Sequence, residues 1–241
     1  KDTHPEGWGR LHWEIAKTHD FESRKSSYPQ PYWINAGEHF ERALETLTVT
    51  DFPELHLEVL ADLIRVLFNL DEIDEANELQ RQGSDLLRRL LQEENRSDSS
   101  KRQLALKFAS FDQFTVDLAV QEKDYRQALM LAERGKTVCL RWLLELDDAV
   151  PDITGQNLQA LLTPGQAMVY WHISPVAIAT FVLLPGEAVP VHIEPPQTPQ
   201  PALLLPTILL THLKLSSDRL PSSNCWTGKN GYSNGIRTMG K

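Results

Sequence analysis

Apolar side chains recur every three to four positions through the first part of the chain. Over residues 54–69, Leu57, Leu60, Leu63, Ile64 and Leu67 fall on one side of a helix. Residues 72–94 repeat this with Ile73, Ala76, Leu79, Leu86, Leu87, Leu90 and Leu91. The pattern also runs through 6–18, 34–48, 100–121 and 124–146 and predicts six helices in three antiparallel pairs. Beyond Asp147 the period changes. Residues 167–173, 176–184 and 188–193 are rich in β-branched and aromatic side chains, with Ser174-Pro175 and Pro185-Gly186 between them, and predict an antiparallel meander. Proline follows the same division: Pro5, Pro29, Pro31 and Pro53 precede residue 151, and the other eleven lie from Pro151 to Pro221. Helix interiors expel proline, so only the first part can be helical over long stretches. Residues 195–201 predict an extended loop, and 203–215 a helix packed on the strands.

The helix pairs resemble one another. A shift of 52 aligns Ile73 with Tyr125, Ala76 with Ala128, Gly83 with Gly135 and Leu91 with Leu143. A shift of 48 aligns Pro5-Glu6 with Pro53-Glu54 and Ile15 with Leu63. Small residues recur seven apart in the second helix of each pair, as Ala36/Ala43, Ala76/Gly83 and Ala128/Gly135. Seven residues make about two turns, so each couple shares a face. A mid-helix glycine costs roughly 1 kcal/mol against alanine, which predicts close helix packing at Gly83 and Gly135; a cap or kink at one or both is the other reading.

These features resemble the tetratricopeptide (TPR) repeat. Asp71-Glu-Ile-Asp-Glu-Ala76 and Lys123-Asp-Tyr-Arg-Gln-Ala128 look like its turn and the start of its second helix, and Phe40-Glu-Arg-Ala43-Leu44 like that helix's end. Downstream, Leu131-Ala-Glu-Arg-Gly-Lys136, the helix Cys139-Leu-Arg-Trp-Leu-Leu144, then Leu161-Leu-Thr-Pro-Gly165 and paired strands resemble the start of a CHAT domain. CHAT domains are caspase-like cysteine-peptidase domains that follow TPR arrays in bacteria. The family's catalytic His and Cys lie at the ends of later strands, where the imidazole deprotonates the thiol and backbone amides stabilise the oxyanion. Neither His172, His192 nor Cys225 sits in such a context, so the resemblance carries no catalytic residue onto this chain.

The expected fold is mainly α: a TPR-like antiparallel helix-pair solenoid, followed by the first antiparallel strands of an incomplete α/β caspase-like domain. The expected division is 1–147 helical repeats, 148–162 linker, 163–221 N-terminal edge of a CHAT domain and 222–241 an aberrant tail. That tail has no period, holds four of the twelve glycines and carries Lys229, Arg237 and Lys241 without an acidic residue. Back-translating 229–240 and dropping two bases gives an amphipathic alternative, so a frameshift near Pro221 is the expectation; an ordinary disordered tail is the other reading.

Composition narrows the function. The chain has 24 Lys+Arg against 33 Asp+Glu, a formal charge of −9, and 41% hydrophobic residues. That argues against nucleic acid, which needs a clustered basic face, and against disorder throughout. No apolar run approaches the roughly 20 residues of a membrane span, and no signal peptide is visible. Two cysteines, Cys139 and Cys225, make no disulfide framework, so a reducing cytoplasm is expected. Cys139 lies on an apolar face and reads as an inert core thiol. His4, His12 and His19 lie close together, but no H-E-x-x-H, C-x-x-C or H-x-H motif appears, and neither metal nor cofactor is expected. The acidic run at Asp71, Glu72, Asp74, Glu75 and Glu78 reads as a solvated helix start.

The functional surface expected is the concave face formed by the first helix of each pair, with Arg10, Trp13, Lys17, Glu58, Arg65, Asn69, Gln113 and Asp117 as partner-binding candidates. The function expected is protein–protein interaction, with a protein or peptide partner in the repeat groove and no catalytic activity. The alternatives are a fragment of a caspase-like cysteine peptidase whose His/Cys dyad lies beyond this chain, and a non-functional pseudogene product.

Overall fold

The helical periodicity becomes α1 (Pro5–Ser23), α2 (Gln30–Leu44), α3 (Pro53–Leu70), α4 (Ile73–Leu91), α5 (Asp98–Lys107), α6 (Ser110–Gln121) and α7 (Tyr125–Leu144). A computed structural model of the chain describes residues 1–144, 158, 160–187 and 189–194, with 138–144 described by backbone alone. The chain is mainly helical, with a small antiparallel sheet on its C-terminal side. The 195–201 loop, the 203–215 helix, the tail and the side chains of Cys139 and Cys225 lie outside the described residues.

Helix starts follow from the local chemistry. Prolines stand in the first turns of α1, α2 and α3, where their missing N–H is no loss and their fixed φ suits the helix. Residue 34 is therefore not the start of α2. Pro31 sits inside its first turn, and the helix ends at Leu44 rather than at residue 48. Helix α1 extends past Thr18, burying Asp20 and Ser23. The single helix expected over 100–121 is two. Ser97 caps α5 by accepting from the Ser100 amide at 3.3 Å, and the chain turns at Phe108–Ala109 before α6. The break lets Phe108, Phe111 and Phe114 all be buried, with Phe111 edge-on to Phe114 at 6.1 Å.

Helices next to each other in sequence pack together from α1 to α4, and α4 packs on both α5 and α6 before α6 meets α7. The tight turns α3–α4 and α6–α7 have the same hydrogen bonds. Glu72 N–H reaches the Leu67 carbonyl at 3.0 Å, and Asp71 N–H reaches Phe68 at 3.3 Å. Asp124 N–H reaches Ala119 at 3.0 Å, and Lys123 N–H reaches Val120 at 3.0 Å. Asp71 and Lys123 are both left-handed, at φ 63° and 61°. This is the helix-ending geometry usually given to glycine.

Strands β1 (Met168–Ile173), β2 (Ile178–Leu183) and β3 (Val191–Ile193) pair antiparallel in that order. Tyr170 lies opposite Phe181, and Phe181 opposite His192. Ala179, Phe181 and Leu183 point one way and join Val116, Ala119, Ala128, Leu129 and Ala132 in a core that seats the sheet on α6 and α7. The opposite face carries Trp171, Ile173, Ile178 and Val191, each between 47% and 66% exposed.

Candidate functional site

The expected binding row does not form one open surface. Trp13 is buried, because α3 brings Asp62 against it, and its Nε1 donates to Asp62 Oδ2 at 2.8 Å. Lys17 Nζ covers the Trp13 ring at 4.3 Å and bonds Glu14 at 2.5 Å. Arg65 donates to Asp20 at 2.7 Å and to Asp62 at 3.1 Å, while Arg24 adds a bond to Asp20 at 3.0 Å. Asn69 donates to the Arg65 carbonyl at 3.0 Å. Arg10 is exposed and pairs with Glu6 at 2.8 Å. Glu58 is held by Lys107 of α5 at 2.6 Å. The fold thus joins Trp13, Lys17, Arg65 and Asn69 through an α1/α3 network built on Asp20 and Asp62. Gln113 and Asp117 stand apart on α6, towards the sheet, and Asp117 is buried.

The packing positions also divide. Ala36, Ala43, Ala76 and Ala128 have no exposed surface. A Cβ at Gly83 would lie 2.0 Å from Phe111 Cε1, so α4 and α6 meet there with no room for a side chain. At Gly135 the expected close neighbour is missing: a Cβ would meet nothing within 4 Å among the described residues. Gly135 instead lines a cleft of about 340 Å³.

Three elements build that cleft. Helix α6 contributes Asp112, Gln113 and Val116, α7 contributes Leu131, Gly135 and Lys136, and β1 contributes residues 170–173. Lys136 Nζ bonds Glu133 at 2.5 Å and stands 5.3 Å from the centre of the Tyr170 ring. Glu133 is fully buried, and its Oε2 has no hydrogen-bond partner among the described residues. Burial, reinforced by the Glu133 carboxylate, pushes the Tyr170 phenol up. Burial also raises the Asp112 carboxyl and lowers the His172 imidazole. Asp117 accepts from Ser174 Oγ at 3.0 Å through Oδ1, while its buried Oδ2 has no partner among the described residues. Burial lifts its pKa to about 7, against the opposing pull of that hydrogen bond.

Histidines gather elsewhere. His12 Nδ1 lies 2.9 Å from His39 Nδ1, and the His39 ring stacks between His12 at 5.0 Å and His19 at 5.7 Å. One of the two Nδ1 atoms must carry the shared proton. Burial lowers the pKa of both His12 and His39. Among the described residues no group of three or more His, Cys, Asp or Glu is arranged to hold a metal ion. None of the described helices is long and apolar enough to cross a membrane. His192 stacks on Tyr125 at 4.8 Å.

Sequence reasoning missed Asp20, Asp62, Glu133, Tyr170 and the His12–His39 pair. The spacing of His12 and His19 was a partial signal for the last; nothing in the sequence pointed to His39.

Compared with protein-family models, curated proteins and solved structures, the chain matches none.

Proposed function

We propose that this chain is a protein–protein interaction scaffold built on TPR-like helix pairs, without peptidase activity of its own. The observation that carries the reading is the shared α3–α4 and α6–α7 turn, with left-handed residues 52 positions apart and the same pair of closing hydrogen bonds. Like turns joining like helix pairs support a repeating array, and such arrays use their extended inner surface to hold partners. The accessible part of that surface is Arg10, Lys17, Glu58 and Asn69, with Arg65 and Trp13 fixing it from below. The partner is a protein or peptide segment.

Photo-crosslinking residues placed at positions 10, 17, 58 and 69, with 81 and 88 as controls, test this in extracts of the source cells. The reading expects one discrete adduct from the first set. Equal crosslinking from both sets, or none, defeats it.

A second reading is a fragment of a caspase-like cysteine peptidase. The apolar sheet face at Trp171, Ile173, Ile178 and Val191 favours it, because a sheet ordinarily buries its apolar face under another layer.

A further inference from the structure

We propose that the free edge of β1 takes up an extended, basic segment of a partner protein as an added strand, seated in the cleft between β1, α6 and α7. This surface is separate from the helical groove proposed above.

The first observation is topological. Among the described residues β1 pairs with β2 on one side only, and the sheet order places it at an edge. Its other side therefore presents backbone N–H and C=O groups without a ladder partner among the described residues, a template for another chain.

The second is geometric. Successive strand residues point to opposite faces. Tyr170, Trp171, His172 and Ile173 nevertheless all border the cleft. Such an unbroken run fits a cleft that follows the edge of the strand. At roughly 3.3 Å per residue they offer about 13 Å of edge. Across the gap the wall is low, made partly of Ala109, Ala132 and Gly135, and a Gly135 side chain would meet nothing within 4 Å among the described residues.

The third is chemical. The His172 imidazole donates to the Gln113 backbone, while its Nε2 is buried without a partner among the described residues. With the donating proton on Nδ1, Nε2 of the neutral ring is a lone-pair acceptor. Asp112 makes no ion pair within 4 Å among the described residues, although Arg134 is near enough to act on it electrostatically. Lys136, the cation lining the cleft, is already bound to Glu133. The cleft thus offers one unsatisfied buried acceptor at His172 Nε2 and one exposed carboxyl at Asp112, which match a strand whose side chains end in ammonium or guanidinium groups. Backbone pairing would supply the affinity and these contacts the selectivity, as in other strand additions.

The test uses the full chain and an acetylated, amidated (Val-Lys)4 peptide. Two control peptides are (Val-Glu)4 and a (Val-Lys)4 N-methylated at alternate amides. Amide hydrogen exchange at residues 169–173 is the readout. With (Val-Lys)4 the expectation is about tenfold slower exchange there, with no such protection from either control. Gly135→Leu, which fills the cleft, should abolish the effect while Gly135→Ala keeps it; thermal melts of both show whether the fold persists. Unchanged exchange with (Val-Lys)4, equal protection by the N-methylated peptide, or protection that depends on protein concentration alone and so reports self-pairing, would overturn the proposal. None of these outcomes bears on crosslinking from α1 and α3.

Discussion

Asp71 and Lys123 occupy the same left-handed position, 52 residues apart, at the ends of α3 and α6. Neither is glycine, and each closes its helix with the same two backbone bonds.

A non-glycine residue in this conformation costs roughly 1–2 kcal/mol. Asp71→Gly and Lys123→Gly should therefore each stabilise the protein by about 0.5–1 kcal/mol, net of the larger chain entropy of glycine. The sites are far apart in sequence and share no bond, so the double variant should show the sum. Denaturant melts measure this; a loss of stability in both variants would refute the strain argument.

Gly83 and Gly135 occupy equivalent positions in the repeat register, yet they should respond oppositely. Gly83→Ala drives a methyl into Phe111 and should cost about 1–3 kcal/mol. Gly135→Ala meets nothing within 4 Å among the described residues and should gain up to about 1 kcal/mol from helix propensity. The two melts, taken side by side, check the sign.

Asp117 predicts a pH dependence. Its folded pKa of about 7 lies above the ordinary 3.8. Between those values the folded state holds a proton that the unfolded state has released. Stability from this group is thus full below about pH 4, falls as pH rises, and levels off above about pH 7. Asp117→Asn keeps an acceptor for Ser174 and should remove the fall, leaving the variant more stable than the parent at pH 8. A variant with the parent's pH profile would show that Asp117 is ionised in the folded state.

His12 and His39 act in the other direction. Burial holds their folded pKa values below 6.5, so the unfolded chain takes up protons first as pH drops and stability falls below about pH 6.5. Arg42 disfavours the charged form of both rings, while Glu45 opposes this at His12 and Glu38 at His39. His39→Asn should flatten the acid limb. NMR titration of the two imidazoles provides an independent check.

Arg65 is the hub between α1 and α3. Arg65→Ala leaves buried Asp20 with the exposed Arg24 as its remaining ion-pair partner among the described residues and should cost roughly 3 kcal/mol. Arg65→Lys retains the charge but cannot span Asp20 and Asp62 together, and should recover part of the loss. Equal stability of the alanine variant and the parent would remove Arg65 from the structural account.

Local pattern made the helices and the meander legible, because each depends on a period that a short window contains. The same was true of Gly83. The break at Phe108–Ala109 was hidden, since neither glycine nor proline marks it and what drives it is the burial of three phenylalanines. Trp13–Asp62 and Arg65–Asp20 join residues 49 and 45 positions apart, and both polar partners read locally as solvated helix residues. The cleft was hidden for a related reason. Gly135 looks like Gly83 in sequence, and only the placement of β1 gives it a gap instead of a ring.

The Phe111 ring over Gly83 also limits how this fold can change. Sliding α6 along α4 by one turn would put the ring against Gln80 or Leu87 instead of a bare Cα. The joint therefore admits a single register. Although neighbouring helix pairs share a turn and a pattern, the α4–α6 junction works as a keyed joint, so duplicating or exchanging a pair there would require a new glycine and a new aromatic ring together.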